Sequence, residues 1–381
     1  MIKIKSDKII SKNELIEGYL YLKDDKVFSV GKENLKADCE YDFTGKYVSA
    51  GFIDIHTHGG GGFSFANSTV SDVISGCDFH LLHGTTSILP TISTGEFSIM
   101  KKATENIALA KKSGKSKANI IGAHLEGPYL SSKQCGAQCA GFITPPVKKE
   151  YQALVEQFGY GVARWSYAPE LDKDGEFCKF LTKSKINASA GHTDATYQDM
   201  IKAVESGCNL ITHLYSCTST VTRKNGFRSL GVIESAFLLD ELSVEIIADG
   251  KHLPPELIKM IIKIKGTDKV ILITDSLDIA GTPIKEGVMS GTEFIVEDGV
   301  CKLKDRTAFA GSVATADCLI RTLVNDCGLD MVTAVKMMTK TPAELLKLNK
   351  GDLVAGKDAD VIVFDEGVNV SDVFVGGKKV K

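Results

Sequence analysis

The chain has 381 residues, which is enough for one large domain and a smaller one. Hydrophobic residues make up 43% and charged residues 24%, as in ordinary globular enzymes, and a net charge of -3 argues against nucleic acid or an acidic membrane surface as a partner. We expect no signal peptide and no membrane-spanning segment, because no apolar run is long enough. The ten cysteines include no C-x-x-C pair, so we expect reduced thiols and a cytoplasmic location.

Both ends of the chain alternate apolar residues with turns that contain Asp, Lys or Gly, a pattern typical of short strands. Because the two ends share this character, we expect them to pair into one small β-sandwich domain, built from residues 1–50 and 346–381. The predicted strands are Ile2–Ile4, Gly18–Leu22, Val27–Val30, Lys46–Val48, Ala359–Phe364 and Val373–Val375.

Between these ends, over residues 51–345, eight apolar runs alternate with stretches able to form helices. This alternation indicates a buried parallel sheet, and eight such units predict an α/β protein with a (β/α)₈ barrel of TIM type. A doubly wound open sheet is the alternative, but its phosphate-binding glycine fingerprint is absent after the first strand. The runs are Phe52–His58, Thr86–Thr91, Asn119–Glu126, Val162–Pro169, Asn187–His192, Leu210–Tyr215, Val244–Asp249 and Val270–Asp275, and predicted helices include Ser71–His83, Pro255–Lys263 and Asp317–Asn325.

The first of these runs ends in two histidines one residue apart, His56 and His58. Alternate side chains of a strand share a face, so both imidazoles point the same way from the C-terminal end of the strand. Neutral imidazole nitrogens suit zinc, iron or nickel, and the pair therefore indicates a metal site. A pair of surface histidines at a strand end is the alternative interpretation.

Catalytic groups of a barrel lie at the C-terminal ends of its strands. Of the eight histidines in the chain, six fall at or just after the ends of the predicted strands, together with three acidic residues. Scarce residues concentrated at one end of a barrel indicate a metal-dependent hydrolase rather than separate core histidines. The residues are His56, His58, His124, Glu126, His192, His213, Asp249, His252 and Asp275.

Motifs at these positions resemble the amidohydrolase superfamily and, within it, the family of N-acetylglucosamine-6-phosphate deacetylases. The resemblance covers nearly the whole chain, and the order and spacing of the motifs together make it specific. The motifs are Gly51-Phe-Ile-Asp-Ile-His-Thr-His-Gly-Gly-Gly-Gly62, His124-Leu-Glu-Gly-Pro-Tyr129, Gly191-His-Thr-Asp-Ala195, Thr212-His-Leu214, Asp249-Gly-Lys-His252, Thr274-Asp-Ser276, Ala310-Gly-Ser312 and Gly356-Lys-Asp-Ala-Asp-Val-Ile-Val363.

The resemblance implies one or two divalent metal ions per chain, zinc, iron or similar. Glu126, His192 and His213 match the ligands of the principal metal. His56 and His58 would supply a second site, with Glu126 and Asp275 available to both. Since some family members lack the second pair of histidines and use one metal, its presence here makes two metals possible.

The implied reaction is hydrolysis of the N-acetyl amide of N-acetylglucosamine 6-phosphate, or of a close N-acetylhexosamine 6-phosphate. Asp275 matches the catalytic aspartate, which takes a proton from water and delivers it to the departing amine. His252 matches a histidine that contacts substrate. A hydrolase of a different amide, cyclic amide or N-acyl compound is the alternative, and a non-catalytic scaffold is a third, disfavoured because the implied ligands are all present.

Three segments differ from the family pattern. Where many members read Lys-Gly-Ala-His, this chain has Gln138 in place of the histidine, and Gln138 can hydrogen-bond a sugar but cannot become cationic. Ser216-Cys217 replaces an Asn-Ala whose backbone helps to bind phosphate, and backbone donors survive that change. Asn225-Gly226 stands where the family's usual Arg-Glu-Pro-Gly motif would continue, and Arg223 is the candidate for the arginine of that motif. We therefore expect Gln138, Ser216, Cys217, Arg223 and His252 to bind substrate.

The expected partner is a small-molecule amino sugar phosphate. We expect no nucleic acid and no membrane as partners, and we expect the chain to form a homodimer.

Overall fold

Eight parallel strands form the body of the protein in the computed structural model, which describes residues 1–289 and 292–381. Each strand pairs with its neighbours in chain order and is followed by an α-helix, so the predicted (β/α)₈ TIM-type barrel is confirmed. The barrel strands are Phe52–Thr57, Thr85–Ile92, Asn119–Ile120 continued by Ala123–Glu126, Val162–Tyr167, Asn187–Ala190, Leu210–Ile211, Ser243–Ile246 and Val270–Leu272.

The barrel closes through main-chain hydrogen bonds just beyond its eighth strand. The N–H of Asp275 donates to the carbonyl of His56 at 2.9 Å, and the N–H of His58 donates to the carbonyl of Ser276 at 2.8 Å. Closure therefore brings Asp275 beside the two histidines of the first strand. Below this level the barrel axis is filled by an apolar cluster that includes Ile53, Ile55, Leu89, Leu210, Ile247, Ile271 and Ile273.

The helices surround the barrel and bury their apolar faces against it. The helix Pro255–Lys265, for example, starts with a proline, which lacks an N–H; the first turn of a helix does not need that donor. The helix buries Ile258 and Ile261. The three predicted helices agree with the structure to within two residues at each end. No helix in the two described ranges is long and apolar enough to cross a membrane. The α-helices are Val70–Leu81, Phe97–Ser113, Lys148–Phe158, Glu176–Lys183, Tyr197–Glu205, Val232–Leu238, Pro255–Lys265, Ala316–Asn325, Met331–Lys336 and Lys340–Leu345.

The two chain ends form a second, mainly antiparallel sheet, as predicted. A bulge between Ser6 and Ile9 lets the first strand pair with Cys39–Asp42 along one half and with Tyr47–Ala50 along the other. The halves enclose an apolar core that includes Ile4, Leu20, Val48, Val361 and Phe374. The polar strand Cys39–Asp42 was not predicted, and the domain boundaries given above stay a prediction. The strands are Ile2–Ser11, Glu14–Lys23, Lys26–Gly31, Cys39–Asp42, Tyr47–Ala50, Val361–Phe364, Val370–Val375 and Lys378–Lys379.

Two further β insertions and several short elements were also not predicted. One is a hairpin after the sixth barrel strand, and the other is a four-stranded antiparallel sheet between the eighth strand and its helix. The hairpin is Thr222–Lys224 with Phe227–Ser229, and the sheet is Glu286–Met289, Thr292–Glu297, Val300–Leu303 and Phe309–Gly311. The short elements are strands Gly59–Gly60 and Phe63–Ser64 and the 3₁₀ turns Ser132–Gln134, Ala140–Phe142, Gly159–Gly161 and Pro169–Leu171.

Candidate active site

A cavity of about 240 Å³ lies at the C-terminal ends of the barrel strands. Nine of the residues that the sequence predicted for the site line it: His58, Glu126, Gln138, His192, His213, Ser216, Cys217, His252 and Asp275. Ser93, Ala137, Tyr215 and the segment 308–311 of the inserted sheet complete the wall. The predicted residues therefore meet at one place although they are distant in sequence.

Glu126 stands at the centre of a ring of imidazole nitrogens. Its Oε1 lies 3.0 Å from Nε2 of His192 and 3.0 Å from Nε2 of His213, and these two nitrogens are 3.2 Å apart. Its Oε2 lies 3.3 Å from Nε2 of His58. His56 is fully buried behind His58, with the two Nε2 atoms 3.3 Å apart.

Hydrogen bonds donated by Nδ1 orient the rings of His192 and His213. Nδ1 of His192 donates to the carbonyl of Gln134 at 3.0 Å, and Nδ1 of His213 donates to the carbonyl of Ser216 at 3.1 Å. With Nδ1 protonated, the lone pair of each neutral ring is on Nε2 and points into the cluster. This is the arrangement that metal-ligating histidines show.

The first-strand histidines are oriented in the same way. Nδ1 of His58 faces the hydroxyl of Ser93 at 2.9 Å, and Nδ1 of His56 lies 3.4 Å from the carboxylate of Glu245. Glu245 is itself fully buried and forms an ion pair with Arg164. All four Nε2 atoms are therefore directed at the same small volume.

The donor set fits a divalent cation. Three overlapping groups have ligand atoms within 4.8 Å of one another, namely Glu126-His192-His213, His56-His58-Glu126 and His56-His213-Asp275. Imidazole nitrogens together with carboxylate oxygens suit zinc, iron and related ions. The chain could hold one ion or two at these positions.

Charges in the cluster also favour a cation. Burial alone would raise the pKa of Asp275, but the charges of His56 and His58 bring it down to about 2. Burial likewise opposes charge on Glu126, yet the surrounding histidines hold its pKa well below the usual value. Burial would lower the pKa of His58, but hydrogen bonds to Asp275 and Glu126 raise it to about 10. Despite burial, contacts with Glu126 likewise raise the pKa of His192 and His213, whereas burial lowers the pKa of His56. The carboxylates thus favour protonation of three of the four histidines, and a bound cation would replace that positive charge.

Three residues of the candidate metal-binding cluster have backbone conformations that residues other than glycine rarely adopt. The φ angles are +47° at His192, +28° at His213 and +47° at Asp275. Such left-handed conformations cost free energy and occur often at functional sites. Each follows the end of a barrel strand and turns a side chain inward over the barrel mouth.

Gln138 and Cys217 reach the cavity from two different loops. The amide of Gln138 donates to Oε2 of Glu126 at 2.6 Å, and its carbonyl accepts the N–H of Thr94 at 2.8 Å. The N–H of Ser216 is used in a turn to the carbonyl of His213 at 2.9 Å. No acceptor for the N–H of Cys217 exists among the described residues, so this donor remains available to a ligand.

His252 borders the cavity after the seventh strand. Its Nδ1 lies 2.8 Å from Oδ2 of Asp249, and the ring of Phe309 packs against it with centroids 4.8 Å apart. Phe309 belongs to the inserted sheet and was not predicted as a site residue, although it directly precedes the motif Ala310-Gly-Ser312.

Arg223 is the predicted site residue that lies elsewhere. It is exposed on the inserted hairpin, opposite Arg228, and is not among the residues that line the cavity. His124, which sequence placed at a strand end, lies under the site, where Thr91 and Ser166 hydrogen-bond both of its ring nitrogens. Burial keeps the pKa of His124 well below its usual value, so it is a neutral core residue.

Known deacetylases are similar to this chain over nearly its whole length. It is 30% identical over 370 residues to the N-acetylglucosamine-6-phosphate deacetylase of Lysinibacillus sphaericus, covering 94% of this chain and 92% of that protein. It is 31% identical over 340 residues to the N-acetylgalactosamine-6-phosphate deacetylase of Shewanella sp. (strain ANA-3), covering 89% of this chain and 84% of that protein.

A solved structure agrees with these relatives. A mutant of the N-acetyl-D-glucosamine-6-phosphate deacetylase from Mycobacterium smegmatis, in complex with N-acetyl-D-glucosamine-6-phosphate, superposes with a TM-score of 0.92 at 28% identity, covering 100% of this chain and 99% of that chain. The profile described as "Amidohydrolase family" matches residues 47–380. The chain therefore belongs to the amidohydrolase family.

Proposed function

We propose that this protein hydrolyses the N-acetyl amide of N-acetylglucosamine 6-phosphate, or of a close N-acetylhexosamine 6-phosphate, to the amino sugar phosphate and acetate. The observation that carries the proposal is the convergence of four imidazole Nε2 atoms and two carboxylates at the mouth of the barrel. The similarity to deacetylases of such sugar phosphates supports the choice of substrate.

Glu126, His192 and His213 would hold the principal divalent ion, zinc, iron or similar. His56 and His58 would hold a second, with Glu126 and Asp275 available to both. A bound divalent cation lowers the pKa of water towards about 7 and polarises the amide carbonyl. The protein must therefore supply the proton transfers and the orientation of the sugar.

Asp275 is placed to transfer the proton. Its carboxylate borders the cavity, with Oδ1 3.2 Å from Nε2 of His58, and its main chain is held by the bond to His56 and by the N–H of Ser312, which donates to its carbonyl at 2.9 Å. It would take a proton from the attacking water and deliver it to the amide nitrogen as the C–N bond breaks. A fixed carboxylate suits both steps, since the same group acts as base and then as acid.

The remaining polar groups would orient the sugar. His252 and Gln138 face the cavity as hydrogen-bonding side chains, and the loop with Ser216 and Cys217 offers one free N–H. Arg223 is exposed on the hairpin and does not line the cavity of its own chain. Its role in phosphate binding therefore stays a prediction. We further propose a cytoplasmic homodimer, and the ten free cysteines agree with a reducing compartment.

The test is a panel of N-acetylated hexosamines, each with and without a 6-phosphate, in which acetate release is measured on the metal-loaded protein. The proposal predicts acetate only from the phosphorylated sugars. Metal binding without acetate release would favour hydrolysis of another amide, and absence of both would favour a scaffold.

A further inference from the structure

Asp249 is a buried carboxylate that the mechanism above does not use. Its Oδ2 accepts from Nδ1 of His252 at 2.8 Å, while its Oδ1 accepts the main-chain N–H groups of Lys251 at 2.9 Å and His252 at 2.8 Å. The side chains of His252 and Asp249 are only 4% and 5% exposed. Both carboxylate oxygens are thus occupied, and the pair is held in one orientation.

The chemistry of the carboxylate decides which ring nitrogen carries the proton. An ionised Asp only accepts hydrogen bonds, so Nδ1 of His252 must be the donor and Nε2 of the neutral ring must bear the lone pair. Burial would raise the pKa of Asp249, but the hydrogen bond from His252 lowers it below the usual value and keeps Asp249 ionised. Nε2 has no partner among the described residues, and His252 borders the cavity.

We propose that Asp249 is a positioning residue that fixes the tautomer of His252, so that Nε2 presents a hydrogen-bond acceptor to a ring hydroxyl of the substrate. The inference rests on the proposed function for the identity of the substrate. Phe309 packs against the ring of His252 and helps to hold its plane. A sugar hydroxyl can donate to Nε2, which links the buried Asp249 to recognition of the sugar.

Replacing Asp249 with asparagine separates this role from a structural one. The side-chain oxygen of asparagine can keep both main-chain bonds to residues 251 and 252, and its NH₂ group then faces Nδ1 of His252. Because NH₂ donates, Nδ1 must accept and the proton moves to Nε2. A substrate hydroxyl that donated its proton to Nε2 would then face the Nε2–H donor of His252. The hydroxyl proton would lose its acceptor.

The experiment combines kinetics on N-acetylglucosamine 6-phosphate with a double-mutant cycle. Asp249→Asn should lower kcat/KM about 10- to 100-fold, the scale of one unpaired buried hydrogen-bonding group, without a change in thermal stability. His252→Gln should itself lower kcat/KM. Because a glutamine amide can either donate or accept, it does not depend on residue 249 for a tautomer, and adding Asp249→Asn should lower kcat/KM further by less than about twofold. The matched control is Asp317→Asn, which alters a second Asp–His pair, with His83 at 3.3 Å, away from the cavity.

The tautomer itself is read by NMR of ¹⁵N-labelled histidine without any substrate, with the His252→Gln spectrum assigning the signals. We expect a protonated Nδ1 in the parent and a protonated Nε2 in Asp249→Asn. Each of three results would overturn the inference. They are a parent-like kcat/KM in Asp249→Asn, an additive loss in the double variant, and a protonated Nε2 in neutral His252 of the parent. Absence of acetate release by the parent would instead overturn the proposed function, so the two failures are distinguishable.

Discussion

The side-chain amide of Gln138 donates a 2.6 Å hydrogen bond to the carboxylate of Glu126. This bond fixes Oε2 of Glu126 while Oε1 faces His192 and His213. Gln138→Leu keeps a side chain of similar size but removes this donor, so that Oε2 retains only its 3.3 Å contact with Nε2 of His58. We expect metal affinity to fall about 10- to 100-fold, as for other groups that orient metal ligands.

Competition with a chelator measures this effect. Gln134→Leu is the matched control, because the Gln134 side chain faces Asp194 while its main-chain carbonyl, which orients His192, is retained. The control should bind metal like the parent. Equal metal affinity in Gln138→Leu and the parent would show that the amide does not hold Glu126.

Asp275→Asn should nearly abolish turnover, because an amide cannot accept the proton of water at neutral pH. The expected loss in kcat is about 10² to 10⁴, the scale of removing a general acid–base group. Steady-state kinetics with metal content measured on the same sample checks this. Asp278→Asn, three residues further on and outside the cavity wall, should be nearly as active as the parent. Near-parent kcat for Asp275→Asn at full metal content would remove Asp275 from the mechanism.

Metal content should respond differently to the two groups of histidines. His192→Ala or His213→Ala should remove the principal metal and nearly all activity, because each supplies one of its three ligands. His56→Ala should lower only the second-metal content and have a smaller kinetic effect. Elemental analysis of purified variants decides this, with His83→Ala as a control outside the cluster. One metal per chain in the parent, unchanged in His56→Ala, would exclude the second site.

Arg164 should be essential for stability. Its guanidinium is fully buried, pairs with Glu245, and donates to the hydroxyls of Ser189 at 3.1 Å and Thr212 at 2.8 Å. Arg164→Met leaves the Glu245 charge buried and unpaired, so the free energy of unfolding should fall by about 3–5 kcal/mol. Chemical denaturation measures it, and adding Glu245→Leu should restore part of the loss. A change below about 0.5 kcal/mol would contradict this account.

Arg223→Ala should mainly raise KM for the phosphorylated sugar if Arg223 binds phosphate. The loss of binding should be about 1.5–3 kcal/mol, the scale of a charge-assisted hydrogen bond, and the unphosphorylated sugar should hardly change. Lys224→Ala is the matched control, because the adjacent residue of the strand faces the other side of the hairpin. An equal change in KM for both sugars would separate Arg223 from phosphate recognition.

The barrel and the positions of the histidines and carboxylates at its strand ends could be predicted from local periodicity, whereas their individual roles were implied by the resemblance to the amidohydrolases. Residues two apart on a strand share a face, so His56 and His58 had to point the same way. The parallel topology then brings strand ends that are distant in sequence to one rim, which explains why Glu126, His192 and His213 meet.

The groups that orient these ligands could not be predicted in this way. Glu245 lies within a barrel strand and Ser93 in a loop, and their bonds to His56 and His58 depend on tertiary packing. Phe309 reaches the cavity on an inserted sheet that has no counterpart in the repeating pattern of strand and helix. His124 shows the converse, since the same strand spacing placed it with Glu126 although it lies one layer deeper and is neutral.

The most direct test of the central claim is acetate release from N-acetylglucosamine 6-phosphate by the purified protein, with and without its metal. We expect acetate and free amino sugar phosphate to appear in equal amounts, a chelator to stop the reaction, and zinc or iron to restore it. If the folded protein with its metal site filled released no acetate from any N-acetylhexosamine 6-phosphate, the proposed deacetylase activity would be wrong.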